Sequence, residues 1–168
     1  AFRENPGYAG LKLLPDYHRA ALSGAVYEPV LQLADRLGML VLCHTWGLSM
    51  NNELCNSADQ VARVLERYPH LIFLMGHSIQ GQVDAAIDLA RAYPNAYLDL
   101  CDTGRLNGVI ERMVKGAGAD KVVFGTDAPM QSHLFQLGAV LGARLDPAER
   151  RLILRDNALR ILQSAGRP

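Results

Sequence analysis

Five continuous apolar runs, each followed by an amphipathic stretch, constrain this chain more than any other feature. They are GLKLLP (10–15), MLVLCH (39–44), LIFLMGH (71–77), AYLDLCD (96–102) and KVVFGTD (121–127). A strand exposed on one face alternates apolar with polar residues. A run without that alternation is covered on both faces, as in a parallel sheet. The stretches between the runs read as helices. In VYEPVLQLADRLG (26–38), Val26, Val30, Leu33 and Leu37 fall on one helical face and Gly38 is placed to end it. Ser57 with Gln60 three residues on has the pattern of a capping box, followed by a stripe of Val61, Val64 and Leu65. Val83, Ala86, Ile87 and Ala90 mark the next helix, and Leu106, Val109, Ile110 and Met113 the one after. Gln131 to Gly142 follows as a helix. A closing helix spans 146–162, with Asp146 as N-cap, Pro147 at its first position and Glu149 completing a capping box.

The order is therefore strand–helix five times plus a terminal helix, an α/β architecture with a parallel sheet. The similar helix ends RYPH (67–70) and AYPN (92–95) hint at a repeated unit. Two arrangements satisfy this order. One is an open doubly wound sheet; the other is part of a (β/α)8 barrel, which takes about 250 residues when closed. The 168 residues, with no linker or low-complexity segment, read as a single α/β domain over 1–168. Seventeen basic residues balance seventeen acidic ones, which removes the electrostatic case for nucleic acid. No apolar run approaches the length of a membrane span. Cys43, Cys55 and Cys101 lack CxxC spacing and fit a reducing cytoplasm. The chain opens AFRENPGYAG without a methionine, close to its first strand. A cleavage site, an expression boundary or an incomplete reading frame would each produce that start.

Polar residues cluster at the ends of the runs. Lys12 lies in the first, His44 ends the second and His77 the third; Asp99 and Asp102 sit near the end of the fourth, and Asp127 follows the fifth. In a parallel α/β sheet the carboxyl ends of all strands face one side, where ligands bind. Each residue alone has a plainer reading. A histidine ending a strand is usually a hydrogen-bonded structural group, Asp127 could cap the next helix, Lys12 could snorkel out of its strand, and Trp46 could cover the core edge. Together, two imidazoles and a carboxylate form an N,N,O set suited to zinc, iron or manganese. A metal of this kind makes hydroxide from bound water at neutral pH, and Asp127 could be both ligand and base. Trp46, Asp102 and Arg105 follow strands on the same face, and Arg105 could pair with a substrate carboxylate. Cys43, by strand alternation, points away from that face. No GxGxxG, Walker or GxSxG motif supports a phosphate site or a serine nucleophile.

The segments GLKLLP, LVLCHTWG (40–47), LIFLMGHSIQG (71–81), NAYLDLCDTG (95–104), KVVFGTDAP (121–129) and RDNALRIL (155–162) resemble the amidohydrolase superfamily. The branch is that of the metal-dependent (β/α)8 hydrolases and decarboxylases related to aminocarboxymuconate semialdehyde decarboxylase. The resemblance implies that His44 is the strand-five metal ligand and that His77 is the strand-six histidine, bound to a second metal or contacting water and substrate. It implies that Asp127 is the strand-eight ligand and proton shuttle. Lys12 falls on strand four as a residue lining the site, with Trp46 and Arg105 as further substrate-binding candidates. The family takes two more ligands from an HxH or ExH motif on strand one, and neither motif occurs here. The resemblance therefore covers strands four to eight, the C-terminal portion of a barrel. It implies a divalent metal, zinc first, then manganese or iron, and a small-molecule substrate. The activity implied is hydrolysis of a C–N or C–O carbonyl bond or non-oxidative decarboxylation of a small organic acid. Unpaired parallel edges are an aggregation liability, so either upstream residues complete the barrel or a partner chain, as in a homo-oligomer, covers them. The contrasting readings are a non-catalytic α/β structural module and an open-sheet binder of small ligands.

Overall fold

The computed structural model describes residues 5, 8–46 and 53–165. Gly47, the last residue of LVLCHTWG, and most of the AFRENPG start lie outside them. The strands are β1 (Gly10–Leu13), β2 (Leu40–His44), β3 (Ile72–Gly76), β4 (Ala96–Asp99) and β5 (Val122–Val123). They form one sheet in chain order, β1-β2-β3-β4-β5, with every pair parallel. A doubly wound sheet reverses its strand order at a switch point; this sheet does not. An unreversed run of parallel strands separated by helices is a segment of a (β/α)8 barrel.

The helices are α1 (Pro15–His18), α2 (Glu28–Arg36), α3 (Glu53–Asn56), α4 (Ala58–Arg67), α5 (Val83–Ala92), α6 (Val109–Ala117), α7 (His133–Gly142), α8 (Pro147–Arg151) and α9 (Asn157–Ser164). The period of two divides the sheet into two faces. Val41, Cys43, Phe73, Met75, Leu98 and Val122 pack on one side in the large core with Val61, Val64, Leu65, Ala86, Ile87 and Met113 from the helices. Leu74, Tyr97 and Val123 form a second cluster on the other face with Leu40, Leu42 and Ile72, closed by Ile161 and Ala158 of α9. That second face is the interior of the barrel segment. Cys43 lies in the helix-side core, as strand alternation requires.

Several sequence expectations are corrected. Of the expected stripe, Val26, Val30 and Leu33 are exposed and only Leu37 packs against the core, which α2 meets through Tyr27, Leu31 and Ala34. Ser57 makes no side-chain cap, because Gln60 Oε1 instead accepts from Ser23 N and Oγ, at 3.1 and 2.6 Å. The Ala58 N–H of that helix start donates to Gln82 Oε1 at 2.8 Å. β5 is only two residues long because the next amide, Phe124 N, donates to the Ile153 carbonyl at 3.1 Å. That carbonyl belongs to a π-helical stretch, Leu152–Asp156, which interrupts the continuous helix expected over 146–162. The capping box of Asp146 and Glu149 is present in both directions. Asn157, fully buried, donates to the Ala119 and Val122 carbonyls and ties α9 to β5.

Candidate active site

After three of the five strands the chain turns left-handed at a residue that is not glycine. His77 (φ 63), Asp102 (φ 56) and Asp127 (φ 59) follow β3, β4 and β5, and Ser78 and Ile79 continue the same conformation at φ 48 and 49. A left-handed L-residue costs roughly 1–2 kcal/mol, and such strain persists where the surroundings over-determine it, commonly at functional sites. The surroundings here are specific. Thr45, buried just after β2, receives the Ile79 N–H on Oγ1 at 3.0 Å and donates that hydroxyl to the Gly76 carbonyl. Its own carbonyl accepts from Gln80 N at 2.9 Å. Ser78 Oγ donates to the Asp99 carbonyl at 2.8 Å. Together these bonds bend the chain after β3 so that the His77 ring crosses the end of the sheet.

The two histidines are held in the same tautomer by different partners. His44 Nδ1 lies 2.9 and 2.8 Å from the two Asp16 carboxylate oxygens, which can only accept, so Nδ1 carries the hydrogen. His77 Nδ1 lies 3.2 Å from the Cys101 carbonyl, again an acceptor only. In the neutral form of either ring this leaves the lone pair on Nε2. For His77 that atom is buried and without a hydrogen-bond partner. The rings meet edge to face with centroids 4.8 Å apart. Burial, the His44 imidazole and Lys12 push the His77 pKa down, Asp127 opposes them, and the value falls to about 4. The ring is therefore neutral at pH 7, the form a metal requires.

Asp127 is not a helix cap. Ser132 occupies the N-cap position of α7, and the Asp127 carbonyl accepts from Gln131 N at 3.1 Å in the preceding turn. Its carboxylate instead joins His77 and Cys101, and the three offer donor atoms within 4.8 Å of one another. Of the N,N,O set expected from sequence, His77 and Asp127 fall in this group with Cys101, while His44 stands outside it with its ring edge to face against His77. Trp46 stands edge-on to His77 with centroids 4.8 Å apart. Arg105, in a 3-10 turn over Thr103–Arg105, lies 6.0 Å above the Trp46 ring and donates through Nε to buried Asp102 at 2.6 Å. Lys12 is exposed on the interior face, in register with Leu42, near enough for its charge to act on His77 and Asp99. His44, Trp46, His77, Arg105 and Asp127 are thus gathered after the strands at one end of the sheet, while Lys12 lies within β1, level with Leu42.

Sequence reasoning passed over Asp16, Thr45 and Cys101. Asp16 had a usable signal, since it lies three residues past β1 at the same strand-end level as the others. A carboxylate behind a ligating imidazole fixes its orientation, and its loss typically costs 10–100-fold in metal affinity. Asp16→Asn is accordingly expected to weaken metal binding by about 10–100-fold, read by calorimetric titration of the full-length protein with zinc. Unchanged affinity would remove Asp16 from this role.

The site residues fit a divalent metal: a buried lone pair without a partner, a carboxylate and a thiol beside it, and a second imidazole locked with Nε2 available. Such a donor set at the strand ends of a (β/α)-barrel segment is of the kind that could hold a metal ion. The family comparison is specific: the Amidohydrolase model (Amidohydro_2) matches residues 2–163, and the chain belongs to that family. An uncharacterized TIM-barrel protein from Bordetella bronchiseptica superposes with a TM-score of 0.78 at 25% identity, covering 88% of this chain and 53% of that one. A 5-carboxyvanillate decarboxylase from Sphingomonas paucimobilis gives 0.69 at 14% identity, covering 92% and 58%. A dihydroxybenzoic acid decarboxylase from Polaromonas, solved with bound manganese and the inhibitor 2-nitroresorcinol, gives 0.67 at 15% identity, covering 86% and 55%. The last two likenesses concern the fold. The chain spans 53–58% of the length of these solved structures. No curated protein matches it.

Proposed function

We propose that this chain carries one half of the active site of a metal-dependent hydrolase or decarboxylase acting on a small organic acid. The observation that carries the reading is the buried, partnerless Nε2 of His77, with the Asp127 carboxylate among the donor groups beside it. His44, His77 and Asp127 would hold a divalent metal, zinc first, with manganese or iron as alternatives. Such an ion supplies Lewis-acid polarisation and an acidified water. The chain's own residues do the rest. Asp127 accepts or returns a proton at its carboxylate oxygen, a role common to hydrolysis and decarboxylation. His77, neutral and oriented by the Cys101 carbonyl, polarises or positions substrate from the β3 side. The Trp46 ring walls the site, and Arg105 draws in a carboxylate-bearing substrate while Asp102 fixes its guanidinium. Lys12 adds positive charge on the interior face.

The same reading covers the interior face and the free edges of β1 and β5, either by further strands of the same protein or by a second copy in a homo-oligomer. Three free thiols suit a cytoplasmic location; among the described residues no helix is long and apolar enough to cross a membrane. The test is metal analysis of the full-length protein, followed by assays for CO2 release from aromatic and small organic acids and for hydrolysis of their amides and esters. Near-stoichiometric zinc, manganese or iron with either activity supports the proposal. A protein with no bound metal and no activity restored by added metal would leave a non-catalytic module.

A pH consequence follows from His77. Its pKa in the fold, about 4, lies below the usual 6.5. Between those values the unfolded chain binds the extra proton, so stability rises with pH across that window and is lost on acidification toward pH 4. Denaturant midpoints of the metal-free protein should therefore fall between pH 7 and pH 4.5, and fall less in His77→Gln. Equal slopes in the two proteins would refute the assignment.

A further inference from the structure

We propose that Thr45 is a positioning residue of the site: its hydroxyl fixes the turn that carries His77 and, with it, the spacing of the two imidazoles. The inference rests on the metal reading above and gives a role to a residue outside the donor set. The Gly76 carbonyl and the Ile79 amide bracket His77 and Ser78, and one hydroxyl holds both. Thr45 Oγ1 donates to the Gly76 carbonyl and accepts from Ile79 N at 3.0 Å. The Thr45 main chain adds two further bonds. Its amide donates to the Gly76 carbonyl at 3.2 Å, and its carbonyl accepts from Gln80 N at 2.9 Å. The residues on either side of Thr45 meet the ring of the same turn. His44 and Trp46 each stand edge to face with the His77 imidazole, centroids 4.8 Å apart. Three consecutive residues at the end of β2 therefore grip one residue after β3, the outer two by their rings and the middle one through the backbone.

The turn needs such a grip. His77, Ser78 and Ile79 are left-handed in succession, at φ 63, 48 and 49. That region is disfavoured for every L-residue, and for a β-branched one such as Ile79 it is an outlier. Thr45 and all three turn residues are buried, none more than 2% exposed, so water cannot stand in for the lost bonds. Without the hydroxyl, the Ile79 amide is left buried and unpaired, and the run relaxes toward the right-handed or extended regions. The His77 ring then leaves its place against His44 and Trp46, and its donor atom leaves the group it forms with the Asp127 carboxylate. A threonine needed only to fill space would be replaced by valine with no effect on the imidazoles.

The experiment is calorimetric zinc titration of the metal-free, full-length protein and three variants, at a temperature where circular dichroism shows each to be folded. Thr45→Val keeps the shape and removes the hydroxyl. It should bind zinc about 10–100-fold more weakly, the scale of losing a group that orients a ligand. Thr45→Ser keeps the hydroxyl and should bind as the wild type does. Asn95→Ala controls for stability alone. It cuts the Asn95 bonds to the Tyr68 and Leu71 carbonyls at the opposite end of the sheet, and should lower the denaturation midpoint with zinc affinity unchanged. Equal affinity in Thr45→Val and the wild type, or equal losses in Thr45→Val and Asn95→Ala, would overturn the proposal and leave the metal reading intact. No zinc bound by the wild type would overturn both. Should Thr45→Val not fold, hydrogen exchange of the metal-free wild type decides. An Ile79 amide as protected as those of β3 supports the proposal, and one that exchanges at the rate of an open loop rejects it.

Discussion

Asp127→Asn in the full-length protein is expected to lose near-stoichiometric zinc or manganese and to turn over about 10²–10⁴-fold more slowly, the range for removing a positioned acid–base group. The substitution isolates charge from shape. Asp127 holds a left-handed conformation at φ 59, and asparagine tolerates that region as well as aspartate does. The turn bonded to Gln131 uses the Asp127 carbonyl and needs no carboxylate. The melting curve of the metal-free variant should therefore match that of the wild type, while metal content by mass spectrometry and kcat fall together. A variant that keeps both its metal and its rate would return Asp127 to an ordinary loop residue.

Gly125→Ala should destabilise the fold by about 1–3 kcal/mol, the usual cost of overpacking, and weaken metal binding as well. A Cβ at Gly125 would stand 2.9 Å from the Asp99 carboxyl carbon and closer still to Oδ1. Asp99 cannot yield. Its Oδ1 accepts from Cys101 N at 2.7 Å, its carbonyl accepts from Ser78 Oγ, and it is buried at the end of β4. Displacing it moves Cys101 and, through the Cys101 carbonyl, the ring of His77. The contrast is Gly138→Ala in α7, where a Cβ meets nothing within 4 Å. There the change should stabilise by about 0.5–1 kcal/mol through helix propensity alone. Urea denaturation of both variants, with zinc titration of the first, gives the comparison. An unchanged midpoint for Gly125→Ala would show that Asp99 has room the packing denies.

The strands and the side of the sheet that carries the site are legible in the sequence because burial on both faces leaves continuous apolar runs. A candidate site residue is also readable where a polar residue interrupts such a run at its end, as His44, His77 and Asp127 do. What sequence hides is direction. The Val26, Val30 and Leu33 stripe looks like a core face, yet it points outward, because α2 meets the sheet through Tyr27, Leu31 and Ala34. Gln60 has the spacing of a capping residue but bonds to Ser23, 37 positions away, a contact that only tertiary packing creates. Cys101 lies past the last paired residue of β4, where period-two alternation no longer dictates which way a side chain points. The short β5 depends on a π-helical carbonyl some thirty residues later.

The outward stripe on α2 has a consequence for the life of the polypeptide in a cell. It follows β1, which pairs on one side only among the described residues. Bare strand edges and adjoining apolar surface are what chaperones engage and what drives promiscuous association. If that flank is left bare in the full-length protein, steady-state abundance should fall, and if it is covered, abundance should hold.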